Sequence, residues 1–157
     1  GIAFFAAVFG VFVSAHEASA DEHVFIERDM FVLDVIQNIE WLRCSLGQVW
    51  DGNTCKGEIM KLNHDEIQQA ILQANEQLGE GWRLPTSDEL KNIVCKDCVP
   101  PKIDLTLFPA TSAEPYWTGE ANPHRKPNIY SINFYTGHRY GNFFPYQRLA
   151  VRLVRDR

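Results

Sequence analysis

The sequence has no internal repeat, no low-complexity tract and no long Pro/Gly-rich linker, so it offers no seam for a second domain. No apolar run reaches the roughly 20 residues that a bilayer-spanning helix needs. A single C-x-x-C is present, no G-x-S-x-G phrase occurs, and His16, His23, His64, His124 and His138 are scattered without metal-ligand spacing. A paired-CxxC zinc site, a histidine-rich metal centre and a nucleophile elbow are therefore all without support.

What is present suffices for one ordinary domain. The chain has 157 residues, of which 45% are apolar and 12% aromatic. That length can bury a single core, and so many rings suit a loop-rich fold pinned by large side chains. Gly1–Val13 is an almost unbroken apolar run, followed by the small-residue stretch SAHEASA and the charged DEH. This pattern predicts a secretory signal over residues 1–20 with its cleavage box at Ala18–Ala20, leaving a single domain over 21–157. A periplasmic or extracellular, surface-associated protein is expected. A retained anchor is the competing reading, and the shortness of the run argues against it.

Export makes disulfides the expected state of the four cysteines. Four cysteines allow three pairings, of which the nearest-neighbour one, Cys44 with Cys55 and Cys95 with Cys98, is expected. The alternatives for C-x-x-C are a redox couple or half of a zinc site, but no βαβ pattern surrounds it and no second pair completes it.

The net charge of -5 is unevenly spread, with 4 Lys/Arg against 12 Asp/Glu over residues 21–81 and 11 against 7 over 82–157. The two halves can simply attract each other within one fold. A basic C-terminal face would alternatively favour anionic ligands, acidic or sulfated glycans among them. Export and overall acidity disfavour nucleic acid.

Residues 24–43 alternate short apolar and polar pieces, which suggests extended structure with Asp29 and Asn38 near turns. A helix is predicted over His64–Leu78, with Asn63 and Glu66 as a capping box and Gly79 as the stop. In GEGWRLPTSDEL, Trp82 and Leu84 read as core anchors, and Pro85 forces Leu84 out of helical geometry. Thr86 or Ser87 then caps a second helix over Asp88–Val94. Arg83 alone lacks a local reason: it either braces the fold or faces a ligand. Further on, 115–120 and 128–135 read as strands, GHRYG (137–141) as a turn and 149–157 as a final strand alternating apolar and charged residues. Together these pieces make an α+β domain.

The order of RCSLGQVWDGNTCKGE (43–58), the helix, GWRLPTSDEL (81–90), FPAT (108–111), YWTGE (116–120) and LAVRLVRD (149–156) resembles the bacterial exported family named for the C-terminal domain of the collagen-like adhesin Lcl. The lead-in departs from it, with Asn38, Ile39, Glu40 and Trp41 where the family usually carries a Gly-Leu-x-Trp phrase. The resemblance implies a C-type-lectin-like fold: two helices packed on a small twisted antiparallel sheet with long loops. In that setting Trp82, Arg83, Leu84, Pro85, Thr86 and Trp117 belong to the framework. The fold is shared with the formylglycine-generating enzymes, but fold kinship does not transmit activity. An oxidase of that class would need a reduced cysteine pair, and calcium-dependent sugar binding would need converging oxygen ligands where Glu114, Pro115 and Tyr116 stand. No cofactor, no metal and no catalytic residues are expected.

A binding surface remains. Between His124 and Arg148 cations and rings interleave, and Arg125, Lys126, Tyr135, Arg139, Tyr140 and Arg148 are the candidate ligand-binding residues. Rings can stack on sugar faces while cations meet sulfate or carboxylate. The competing reading is that the rings anchor loops and the cations solubilise a surface. The expected function is a non-enzymatic binding module for anionic glycans or a surface partner, or else a structural subunit of an envelope, pilus or secretion assembly.

Overall fold

Short runs of Val, Ile and Phe broken by residues that accept left-handed geometry give a chain of tight hairpins at the N-terminal end. The computed structural model describes residues 1–13 and 23–157. β1 (Phe25–Arg28) pairs antiparallel with β2 (Phe31–Asp34) across Asp29 at φ 55°, and β2 with β3 (Ile39–Leu42) after Asn38 at φ 55°. The C-terminal β9 (Val154–Asp156) adds to β3, so the four-stranded sheet runs β1-β2-β3-β9. A two-stranded ladder, β4 (Val49–Trp50) with β5 (Cys55–Lys56), precedes α1 (His64–Leu78) and α2 (Ser87–Asn92). A three-stranded sheet follows: β6 (Pro115–Ala121), β7 (Ile129–Asn133) and β8 (His138–Phe143). All pairings within these sheets are antiparallel, and the class is α+β.

Both helices start where local chemistry dictates. Asn63 accepts from the Glu66 N–H while Glu66 accepts from the Asn63 N–H, and Thr86 and Glu89 repeat the arrangement for α2. The core lies in two adjoining clusters. One gathers Trp41, Leu90, Phe108, Tyr116, Ile132 and Phe134, and the other Ile67, Trp82, Trp117, Val151 and Leu153. Residues 149–154 stitch them together through bridges from Leu149 to Leu62, Ala150 to Tyr116 and Val154 to Arg83.

Three expectations are corrected. GHRYG is not a turn: the turn is Phe134–Gly137, with Gly137 at φ 77°, and β8 begins at His138. Gly141 lies inside that strand because a Cβ there would meet the Asn122 amide at 2.4 Å and the Tyr130 ring at 2.9 Å. The second helix ends at Asn92, since Val94 leaves it to bridge with Ile103. The final strand is only Val154–Asp156, and the apolar-charged alternation before it is not an in-out alternation, because Arg152 is fully buried. Its guanidinium donates to the carbonyls of Leu42 (3.1 Å) and Arg43 and to the Thr111 hydroxyl (2.6 Å), against the Phe108 ring. Burial pushes its pKa down to about 10, which leaves it charged at neutral pH.

Gly1–Val13 form no helix or strand, and their apolar side chains stand exposed, so the core is built without them. The expected cleavage box at Ala18–Ala20 lies outside the described residues.

Candidate functional site

The GWRLPTSDEL corner is closed on itself. Trp82 is buried, its backbone N–H donates to Asn75 Oδ1 at 3.0 Å, and its ring stacks on Phe31 (5.7 Å) with the Arg155 guanidinium against both rings, 4.4 Å from Trp82 and 5.3 Å from Phe31. Arg83 exchanges backbone hydrogen bonds with Val154 while its side chain grips both oxygens of Glu89, at 2.7 and 2.8 Å, and Asp156 at 2.9 Å. Its pKa is raised, the Glu89 hydrogen bonds being the largest cause. Burial alone would raise the Glu89 pKa, but Arg83 and the Thr86 N–H together hold it below the usual range. Leu84 packs against Gly119, and the Pro85 carbonyl accepts from the Gly119 N–H at 2.9 Å. Trp117, buried, donates from its indole to the Leu62 carbonyl at 2.8 Å. Arg83 is thus a brace between α2 and β9.

The disulfides join Cys44 to Cys55 and Cys95 to Cys98, and no described cysteine is free. The first closes the β4–β5 loop, where Asp51 accepts from the N–H groups of Asn53 and Thr54. Next to the second, Lys102 Nζ donates to the carbonyls of Lys96 and Cys98. Among the described residues, no group of three His, Cys, Asp or Glu could hold a metal ion.

The six candidate ligand-binding residues fall into three places. Arg125 and Lys126 lie exposed in the β6–β7 loop, whose shape is set by Asn122: its Oδ1 accepts from the His124 N–H and the Tyr130 hydroxyl, and its amide donates to the Gly141 carbonyl. The Arg139 guanidinium lies over the Tyr130 ring at 4.0 Å, tying it to that same end. Tyr135 sits in the β7–β8 turn, and Tyr140 donates to Thr136 of that turn. Tyr135 is therefore at the far end of β7 from Arg125, roughly 14 Å along the strand. Arg148 stands elsewhere again, on Glu66 of α1 at 2.7 Å. The Arg139 side chain reaches, through the Tyr130 ring and Asn122, toward the loop that carries Arg125 and Lys126. Tyr135, Tyr140 and Arg148 make their contacts elsewhere.

Sequence reasoning gave no role to a cleft of ≈ 320 Å³ between α1 and the disulfide loop. Ala70, Ala74 and Leu78 line it from the helix, and Leu46, Trp50 and Met60 face them. The available signal was the two alanines on the inward stripe of α1, where a fully packed helix carries larger residues.

No curated protein and no solved structure matches the chain. The sequence model of the Lcl C-terminal domain matches residues 30–155, which takes in every helix and strand described above except β1 and the last residue of β9. The chain belongs to the Lcl C-terminal domain family.

Proposed function

We propose that this domain is an exported, non-enzymatic binding module of C-type-lectin-like architecture, and that the end of the three-stranded sheet carrying Arg125, Lys126 and Arg139 takes an anionic glycan. The carrying observation is electrostatic. Arg125, Lys126 and Arg139 have no carboxylate partner among the described residues, whereas Arg83, Arg148 and Arg155 each have one. Cations without a carboxylate partner suit sulfate or carboxylate groups on a sugar chain. Export is supported by the two disulfides, and no described helix is long and apolar enough to cross a membrane. Engagement of Cys95 with Cys98 weighs against an oxidase that would need both thiols.

The test is retention on a heparin column at low salt, comparing the chain with its Arg125→Ala/Arg139→Ala variant. Retention that weakens with added salt and falls in the variant, at unchanged melting temperature, supports the reading. No retention at low salt, or equal retention of both proteins, refutes it and favours a protein partner in an envelope assembly.

A further inference from the structure

The inward stripe of α1 packs unevenly along its length. Ile67 near the start is fully buried in the core, but from Ala70 onward the helix, while still packing on the core through Ala74 and Ile71, also borders the 320 Å³ cleft. That volume is at the lower end of the range for small-molecule sites. Ala70 and Leu78 are eight helical steps apart, so the cleft follows the helix for roughly 12 Å. Its shape is a trench, narrow because the disulfide loop stands opposite.

That opposite wall is fixed in advance. Gly47 has φ 94°, and a Cβ there would come within 2.6 Å of the Glu58 carbonyl and the Met60 N–H, so loop and Met60 segment touch backbone to backbone. The Cys44–Cys55 bond closes the same loop. A wall already formed lowers the ordering cost of binding.

The chemistry of the lining selects the occupant. Lys, Arg, Asp and Glu make up 22% of the chain, yet none of them lines the trench. A charged group placed there would lose its water and find no counter-charge. Gln73 and Gln77 line it with amides that hydrogen-bond to nothing among the described residues. Those amides can meet an uncharged hydroxyl, ester or amide. Met30 and Met60, the chain's two methionines, supply adaptable walls.

We propose that this trench binds a neutral, unbranched alkyl or acyl chain carrying an uncharged polar end group. The site is independent of the cationic sheet end. Both methionines lie in it, so the two methyl signals of the full chain labelled with ¹³C-methyl methionine report on it directly. Titration with 1-octanol is expected to shift both signals saturably, while octanoate, ionised at pH 7, binds at least tenfold more weakly. Ala70→Phe, filling the trench, is expected to abolish the saturable shift. Met60→Glu, which places a carboxylate at an exposed position of the lining, is expected to do the same at the remaining Met30 methyl, and it serves if Ala70→Phe does not fold. Shifts that never saturate, that survive in a folded variant, or that octanoate produces equally well overturn the proposal. So do methyl shifts that follow protein concentration without octanol, which would make the trench a contact between copies.

Discussion

The WRLPT corner and the β6–β7 end of the three-stranded sheet use the same kinds of side chain to opposite ends. Each sets arginines beside aromatic rings: Arg155 over Trp82 in one, Arg139 over Tyr130 in the other. In the corner the arginines are also held by acids, Arg155 by Glu40 at 2.9 Å and Arg83 by Glu89 and Asp156. At the sheet end no carboxylate among the described residues pairs with Arg125, Lys126 or Arg139, and Arg125 and Lys126 stay in solvent. An arginine on a ring therefore says little about role until its carboxylates are counted. The corner's charge is consumed within the fold, and the sheet end's is not.

Removing the corner's anchor is the strongest way to break this contrast. Trp82→Ala deletes a buried ring stacked on Phe31 and should cost roughly 3 to 5 kcal/mol, a large share of an ordinary domain's stability. Chemical denaturation measures it. A variant with unaltered stability and lost heparin retention would move Trp82 from framework to site.

Opening the Cys44–Cys55 bond comes next. It closes a loop with a sequence separation of 11, for which chain entropy gives about 3 kcal/mol. Cys44→Ala/Cys55→Ala should lower the denaturation midpoint accordingly while leaving the β6–β7 end intact, since the loop meets the three-stranded sheet through Ser45 and the Tyr116 hydroxyl (2.6 Å) at the opposite end of β6. An unchanged midpoint would mean that the β4–β5 ladder holds the loop unaided.

Glu89 tests the corner's charge directly. Its folded pKa lies below the unfolded value, so its contribution is present above the unfolded carboxylate pKa of about 4.3 and is lost as pH falls through the folded value. Glu89→Gln should cost about 1 to 2 kcal/mol at pH 7, with the gap to the parent chain closing in acid below about pH 4. A gap independent of pH would assign the loss to the helix cap and not to Arg83.

How much of this was readable beforehand depended on distance along the chain. The Asn63/Glu66 and Thr86/Glu89 capping boxes span three residues each, so spacing alone betrayed them. Asp29 and Asn38 were readable as turns for the same reason, since their tolerance of left-handed backbone is a property of the residue itself. Arg83 meets Asp156 across 73 positions, and no local pattern announces that pairing. Arg152 misled more deeply. In LAVRLVRDR a charged residue at alternate positions suggests a solvent face, but the carbonyls left unpaired at the end of β3 draw this one inward. Gly141 looked like a turn residue because close approach of Tyr130 and Asn122, unlike a positive φ, leaves no trace in its neighbours. The candidate site suffered likewise: composition put cations and rings in one segment, and only the side-chain contacts, Arg139 on Tyr130 but Tyr140 on Thr136, pointed neighbours in opposite directions.

Arg148 gives the smallest and sharpest effect. By sequence it belongs with Arg125, Lys126 and Arg139, but in the fold Glu66 neutralises it, raising its pKa chiefly through the side-chain hydrogen bond, and the pair stands exposed in solvent. Solvent and salt leave such pairs little influence on stability, so Arg148→Ala should melt close to the parent chain. If unpaired charge is what recruits a polyanion, Arg148→Ala should also elute from heparin at nearly the parent's salt concentration, clearly later than Arg125→Ala. Glu66→Gln then supplies the converse. Freeing Arg148 should increase retention, although the same change weakens the α1 cap, where Glu66 accepts from the Asn63 N–H. Equal losses for Arg148→Ala and Arg125→Ala would mean that the polymer feels only total positive charge, and the distinction between paired and open arginines would fail at this surface.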